Sequence, residues 1–180
     1  PQQVVTLREI PVWEIHECVR ASFLDGLPSA VSPQADPGVR YPALQSGKPV
    51  YGEIRLSYLS ATRFANAGTR TGGLACVVDP SAGPSGGGLL YVDENADGDL
   101  TNDTPRKPLP EVPTGLSTSQ DPMVTWMWFE SVKVTLGAPQ AGRRVIELLP
   151  CVWKHGDRII LVRFLPARAY TGRFEAGGSS

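Results

Sequence analysis

A chain of 180 residues can bury a sizeable core, and 41% hydrophobic against 19% charged residues is the composition of a folded protein, not a disordered one. A formal net charge of −1 supplies no field to draw in nucleic acid or an acidic membrane surface, and no apolar run approaches the ~18–20 residues that span a bilayer. Glycine (19) and proline (17), spread along the whole chain, argue against a helical bundle and for short elements joined by many turns.

The first segment, "QVVTLREIPVWEIHECVRASFL", carries two patterns. Its first half alternates as a strand interrupted at Pro11, whereas Ile15, Val19 and Phe23 fall on one face of a short helix. Residues 28–49 hold five prolines and almost no periodicity, and predict an extended connector lying over the surface. From residue 50 strand signals become regular. "VYGEIRLSYL" alternates, with Val50 and Ile54 expected on opposite phases of a break at Gly52. "GGLACVVD" and "GGLLYVDE" are short apolar runs flanking the turn-rich "PSAGPSGG", the pattern of a hairpin. "MVTWMWFESVKVTLG" is the longest strand candidate, and the runs on either side of His155-Gly156-Asp157 predict a second hairpin. The expected fold is all-β with at most one or two short helices, an antiparallel β-sandwich or barrel. The expected organisation is a single domain over 1–180: a strand or short helix in 1–27, the connector 28–49, and a β core from 50 to 175.

The charge distribution contains one anomaly. Asp93, Glu94, Asp97, Asp99 and Asp103 crowd five carboxylates into the segment 93–103 directly after "LLYV". Counting Asp93 as position 1, the loop has Asp at 1, Asn95 at 3, Asp97 at 5, Gly98 at 6, Asp99 at 7 and Thr101 at 9, which is the D-x-[DN]-x-[DN]-G pattern. Calcium is a hard cation that takes six to eight oxygens at roughly 2.3–2.6 Å. Short acidic and amide side chains on alternate residues of a curled backbone can point to one centre, and position 6 needs the positive φ that glycine tolerates. Without a cation these carboxylates repel one another. Magnesium fits less well, since it demands stricter octahedral geometry and keeps its waters.

Over residues 91–105 the chain resembles the EF-hand-like calcium loops of dockerins and of secreted bacterial β-rich proteins carrying similar segments. The resemblance implies Asp93, Asn95 and Asp97 as side-chain ligands, Asp99 as a carbonyl ligand, and Thr101 directly or through a water. Where the pattern has a bidentate acid at position 12, this chain has Thr104, so Asp103 is the expected substitute. "TPRKPLPEVP", with four prolines in ten residues, allows no following helix. The loop is thus expected to be a static clamp between strands, without the flanking helices.

Other candidates are weaker. Trp126 and Trp128, two apart on a strand, share a face ~7 Å apart and form either core or a sugar-stacking platform. His16, Cys18, Cys151 and His155 match no known zinc spacing, and Cys18, Cys76 and Cys151 are expected to be unpaired buried thiols, with one disulfide plus a free thiol as the alternative. "GPSGG" at 83–87 has the G-x-S-x-G form, but a strand signal follows it where a nucleophile elbow needs a helix. Glu53, Glu130 and Glu147 lie on expected strands with no motif to mark them as catalytic.

The chain begins with Pro1 and has no basic-then-apolar leader, as a processed, exported protein would. The function expected is a secreted or periplasmic, non-catalytic module held by one Ca2+. Its partners would be an extracellular protein, another copy of itself or a polysaccharide, with no nucleic acid and no membrane span. The alternatives are a carbohydrate-binding module using Trp126 and Trp128, a subunit of a surface layer or filament, and an extracellular hydrolase.

Overall fold

The computed structural model describes residues 5–11, 27–29, 31–55, 73–83, 88–112, 121–136 and 144–174. Strands are β1 (Val5–Pro11), β2 (Leu27–Ser29), β3 (Val31–Ser32), β4 (Val50–Arg55), β5 (Gly73–Asp79), β6 (Leu89–Val92), β7 (Val124–Trp128), β8 (Val132–Leu136), β9 (Arg144–His155), β10 (Arg158–Pro166) and β11 (Arg168–Phe174). All pairings between them are antiparallel, and there is no helix among the described residues, so the fold is all-β. No described helix is long and apolar enough to cross a membrane. The helical pattern at Ile15, Val19 and Phe23 lies outside the described residues.

The strands form three sheets: β1-β11; β3-β4-β5-β6; and β2-β10-β9-β7, with β8 also paired to β9. Alternation decides what the two larger sheets bury. On β6, Leu90 and Val92 turn inward; on β8, Val132 and Val134 are buried while Lys133 is exposed. Ile54, Leu74, Cys76, Val78, Leu90 and Val92 from one sheet pack with Phe129, Val132, Val134, Leu148, Val152, Ile159, Val162 and Phe164 from the other in one shared core. A smaller cluster of Trp128, Leu149, Cys151, Leu165 and Ala167 draws on intervening β9 residues, and so lies on the opposite face of the five-stranded sheet.

Both expected hairpins are present. β5 pairs with β6 from Cys76↔Val92 to Asp79↔Leu89. β9 and β10 turn at Gly156-Asp157, where Gly156 takes φ +58° at the first central position, as a two-residue type II′ hairpin requires.

Three local expectations need correction. β4 runs unbroken through Gly52↔Cys76, so Val50 and Ile54, four residues apart, share a phase and both pack on the shared core. The run from Met123 to Leu136 is two strands, not one. β7 ends at Trp128↔Cys151 and β8 resumes at Val132↔Leu148, one residue longer than the matching stretch of β9, so a bulge at residues 129–131 bends the edge. The 28–49 connector is also partly strand: β2 joins β10 in one sheet, and β3 joins β4 in the other. The chain changes sheets between them, which closes one side of the molecule.

The other side is closed by residues 104–110. The Arg106 N–H donates to Leu90 O at 2.8 Å, and the Leu90 N–H returns to Arg106 O at 3.1 Å. Three residues on, the Leu109 N–H donates to Trp128 O at 2.7 Å, and the Glu130 N–H donates to Lys107 O at 3.0 Å. One short segment therefore bonds to the edge of each large sheet.

Candidate metal centre

β6 delivers Asp93 to the loop, and the Asp93 N–H extends the ladder by donating to Ala75 O at 2.9 Å. Asp93 is only 4% exposed. Its Oδ1 accepts the Asp97 N–H and its Oδ2 the Gly98 N–H, both at 3.0 Å, which curls the backbone around the carboxylate. Asn95 Oδ1 also accepts the Asp97 N–H at 3.1 Å, and Asp97 Oδ1 accepts the Asp99 N–H at 2.8 Å. These side-chain turns force two left-handed residues. Gly98 has φ +77°, as expected of position 6, and Ala96 has φ +61°, a conformation that costs an L residue roughly 1–2 kcal/mol.

Asp97 Oδ2 accepts both the Asn95 and the Asn102 amide, at 2.8 and 2.9 Å. Asp103 closes the loop: its Oδ1 accepts the Glu94 N–H at 3.2 Å, while its Oδ2 is buried without a hydrogen-bond partner. Thr104 is exposed, so the acid at position 11 turns inward where the usual position 12 would be. Asp93, Asn95, Asp97 and Asp103 are thus brought together. Asp99 and Thr101 are not part of this group by their side chains. Asp99 Oδ1 takes the Thr101 N–H at 2.9 Å and its hydroxyl at 2.5 Å, and Asp99 Oδ2 faces Arg40 at 3.2 Å. The Arg40 N–H donates to Gly98 O and the Leu100 N–H to Arg40 O, both at 2.8 Å. That parallel bridge turns the N–H and carbonyl of Asp99 away from Arg40, toward the side where the N–H meets Asp97.

The electrostatics are those of crowded acids. Burial pushes Asp93 above the usual carboxylate range against the pull of its backbone N–H bonds. Asp103 is pushed up to about 6, first by burial and then by the charges of Asp93, Glu94 and Asp97. Burial also pushes Asp97 upward, but the bonds from Asn102, Asp99 and Asn95 outweigh it and hold the group low. Thr101 holds Asp99 low through its two hydrogen bonds.

A pH dependence follows for the metal-free chain. Folded Asp103 binds a proton that the unfolded chain has lost between about pH 4 and 6, so stability from this group falls as pH rises through that window and is flat above it. Because the group is half open to solvent, the change is discounted to on the order of 1 kcal/mol. Urea midpoints in EDTA at pH 5 and 7 should differ in wild type and converge in Asp103→Asn; an equal difference in both would remove Asp103 as the cause.

The anchors of this loop came from outside the motif. Besides Arg40, Arg106 pairs with Glu94 in a half-buried ion pair, and Glu94 O accepts the Thr135 N–H of β8 at 2.8 Å. The loop is therefore fastened to β5, to β8 and to the 33–49 segment. No local spacing could have named Arg40, Ala75 or Thr135, which are remote in sequence from the residues they meet.

Among the described residues, no three His, Cys, Asp or Glu side chains converge as a formed metal cage. The donor set nevertheless fits a hard cation in its chemistry. It offers carboxylates, one amide and a carbonyl, with a buried acid oxygen that nothing satisfies. No family model, curated protein or solved structure matches this chain. The case for a metal therefore rests on the loop itself.

The remaining candidates are placed as follows. Trp126 and Trp128 do share a face, but Trp128 is 4% exposed and lies within the smaller cluster. Trp126 stacks on Trp153 at 5.8 Å with the rings 8° from parallel, and the Arg163 guanidinium stands 5.6 Å over its ring. The ring of Trp126 is thus already engaged by neighbours of the same sheet. Cys76 and Cys151 are buried free thiols, each pushed up to about 12 by burial. Cys151 and His155 lie four residues apart on one strand, ~13 Å, too far to share a zinc ion with bonds of roughly 2 Å. His16 and Cys18 lie outside the described residues, as do residues 84–87 of the "GPSGG" match, which leads into β6 and not into a helix. Glu147 is held by the Ser131 hydroxyl at 2.7 Å and Arg168 Nε at 2.9 Å, and Glu130 accepts the Lys107 N–H at 3.1 Å.

Proposed function

We propose that this protein is a non-catalytic β module whose 93–103 loop takes one calcium ion, which stabilises the joint between its two large sheets. The observation that carries this reading is the inward turn of Asp103 beside Asp93 and Asp97, leaving a buried carboxylate oxygen without a partner. A cation there would offset the burial, and the neighbouring charges, that raise Asp103, and would satisfy that oxygen. Asp93, Asn95, Asp97, Asp103 and the Asp99 carbonyl would hold it. Because the ion binds only the folded chain, its binding free energy adds to folding stability. Affinity in the sub-millimolar to millimolar range, common in extracellular modules, suits a protein outside the cell that meets a polysaccharide, another protein or its own copies.

The test is thermal unfolding in EDTA and in 10 mM calcium, with magnesium as control. At a hundred times Kd the gain is about 2.7 kcal/mol, a rise in midpoint of roughly 5–10 °C for a chain of this size. Equal midpoints in all three buffers would refute the calcium reading. The engaged ring of Trp126 and the burial of Trp128 leave the sugar-platform alternative without a supporting observation.

A further inference from the structure

The acids of the 93–103 loop fall into two kinds. Asp93, Asp97 and Asp103 are brought together, and among the described residues no Lys or Arg pairs with any of them. Glu94 and Asp99 each meet an arginine from outside the loop: Arg106 Nη2 donates to Glu94 Oε1, and Arg40 Nη1 to Asp99 Oδ2 at 3.2 Å. Positive side chains thus stand at the acids outside the group and at none inside it. Both arginines are also fixed at the backbone. Arg40 bonds to Gly98 and Leu100, and Arg106 exchanges two bonds with Leu90, three residues before Asp93.

The two pairs differ in how far water screens them. The Arg40 side chain is 75% exposed, so its charge is largely lost to solvent and the pair is worth little. The Arg106 and Glu94 side chains are 20% and 22% exposed, and their charges act on their surroundings with less screening. Glu94 is also tied to the group itself. It follows Asp93 in the chain, and its N–H donates to Asp103 Oδ1 at 3.2 Å. A bare carboxylate there would add a fourth negative charge to the cation site.

We propose, on the calcium reading of the loop, that Arg106 sets its calcium affinity by neutralising Glu94 and holding that carboxylate out of the donor set. The ion then meets three carboxylates instead of four. Calcium affinity is tuned by the charge count of the ligands, so the pairing weakens the site. The loop fills and empties in the sub-millimolar to millimolar range instead of staying permanently loaded.

Isothermal titration of the full chain with calcium chloride at low ionic strength measures Kd for wild type and variants. Arg106→Met leaves Glu94 unpaired, and Kd should fall about tenfold, the order of one partly screened charge acting on a divalent ion. Glu94→Gln leaves the Arg106 charge unbalanced, and Kd should rise about tenfold. The two changes cancel in charge, so the double variant should return to within about threefold of wild type. Arg40→Met, which removes a screened charge, should shift Kd by less than about threefold. Urea midpoints in EDTA supply the contrast. Arg106→Met should be less stable there than wild type, because a half-buried carboxylate has lost its partner, even as its calcium affinity rises. A residue that only props the loop would lower both.

A Kd unchanged or raised in Arg106→Met, or lowered as much in Arg40→Met, would overturn the assignment. Should Arg106→Met fail to fold, Glu94→Gln decides, since its amide still accepts from the guanidinium, and an unchanged Kd in that variant would overturn the proposal. A wild-type chain that binds no calcium would instead refute the calcium reading, and this inference with it.

Discussion

Asp93→Ala is expected to lower stability by about 2 kcal/mol in EDTA and by about 5 kcal/mol in saturating calcium. The first figure comes from hydrogen bonding alone. Asp93 is nearly fully buried and accepts the backbone N–H groups of Asp97 and Gly98 at 3.0 Å each, so alanine strips the Gly98 donor of its acceptor and leaves the Asp97 donor with only Asn95 Oδ1 at 3.1 Å. A buried donor without its acceptor costs roughly 1–3 kcal/mol, less here because Asp97 is exposed and water can reach its amide. The second figure adds the loss of the calcium contribution, about 3 kcal/mol at a hundred times Kd. Urea unfolding of wild type and variant in the two buffers separates the contributions. A cost of the same size with and without calcium would mean that Asp93 only shapes a turn. Asp93→Asn retains an acceptor for one N–H and should fall between the two in EDTA, yet match the alanine variant in failing to respond to calcium.

Phe129→Ala should cost about 3–5 kcal/mol, the range for emptying an aromatic site in a close-packed interior. Phe129 is 0% exposed and belongs to the core shared by both large sheets. It sits in the bulge between β7 and β8, where its N–H donates to Pro150 O at 3.0 Å, and it bridges to Pro108. The surrounding backbone is fixed on both sides, so the cavity has little means of collapsing. The midpoint should drop by roughly 10 °C or more, with an unchanged m-value if the variant keeps its fold. A loss under 1 kcal/mol would mean that the two sheets do not depend on this ring to stay packed.

How much of this was legible depended on how far each interaction reaches along the chain. The β5–β6 and β9–β10 hairpins were readable because turn residues and flanking apolar runs are adjacent in sequence. The shape of the 93–103 loop was readable for the same reason: its turns are bonds between residues two to five apart. Even the inward turn of Asp103 was visible, as the acid standing next to a missing one. What could not be read is what the loop is fastened to. Ala75 and Thr135 meet it through backbone groups, which leave no mark on residue type, and Arg40, which adds a side-chain pair with Asp99, stands 59 residues away. The bulge was hidden because "WMWF" before it is apolar on both faces, so the first strand sets no phase from which the one-residue slip before Val132 could be seen. Val50 and Ile54 were misphased because Gly52 was read as a break, though a glycine inside a strand can remain fully paired.

The pairing of β2 with β10, Ser29 to Val162, joins segments from near opposite ends of the chain. During synthesis β4, β5 and β6 leave the ribosome well before β9 and β10, so their shared-core face stays uncovered until the last strands arrive. Such topology predicts slow folding and a long-lived half-made sheet, whose apolar face is what a chaperone would recognise. The nascent chain, more than the finished one, is where this protein is vulnerable to aggregation.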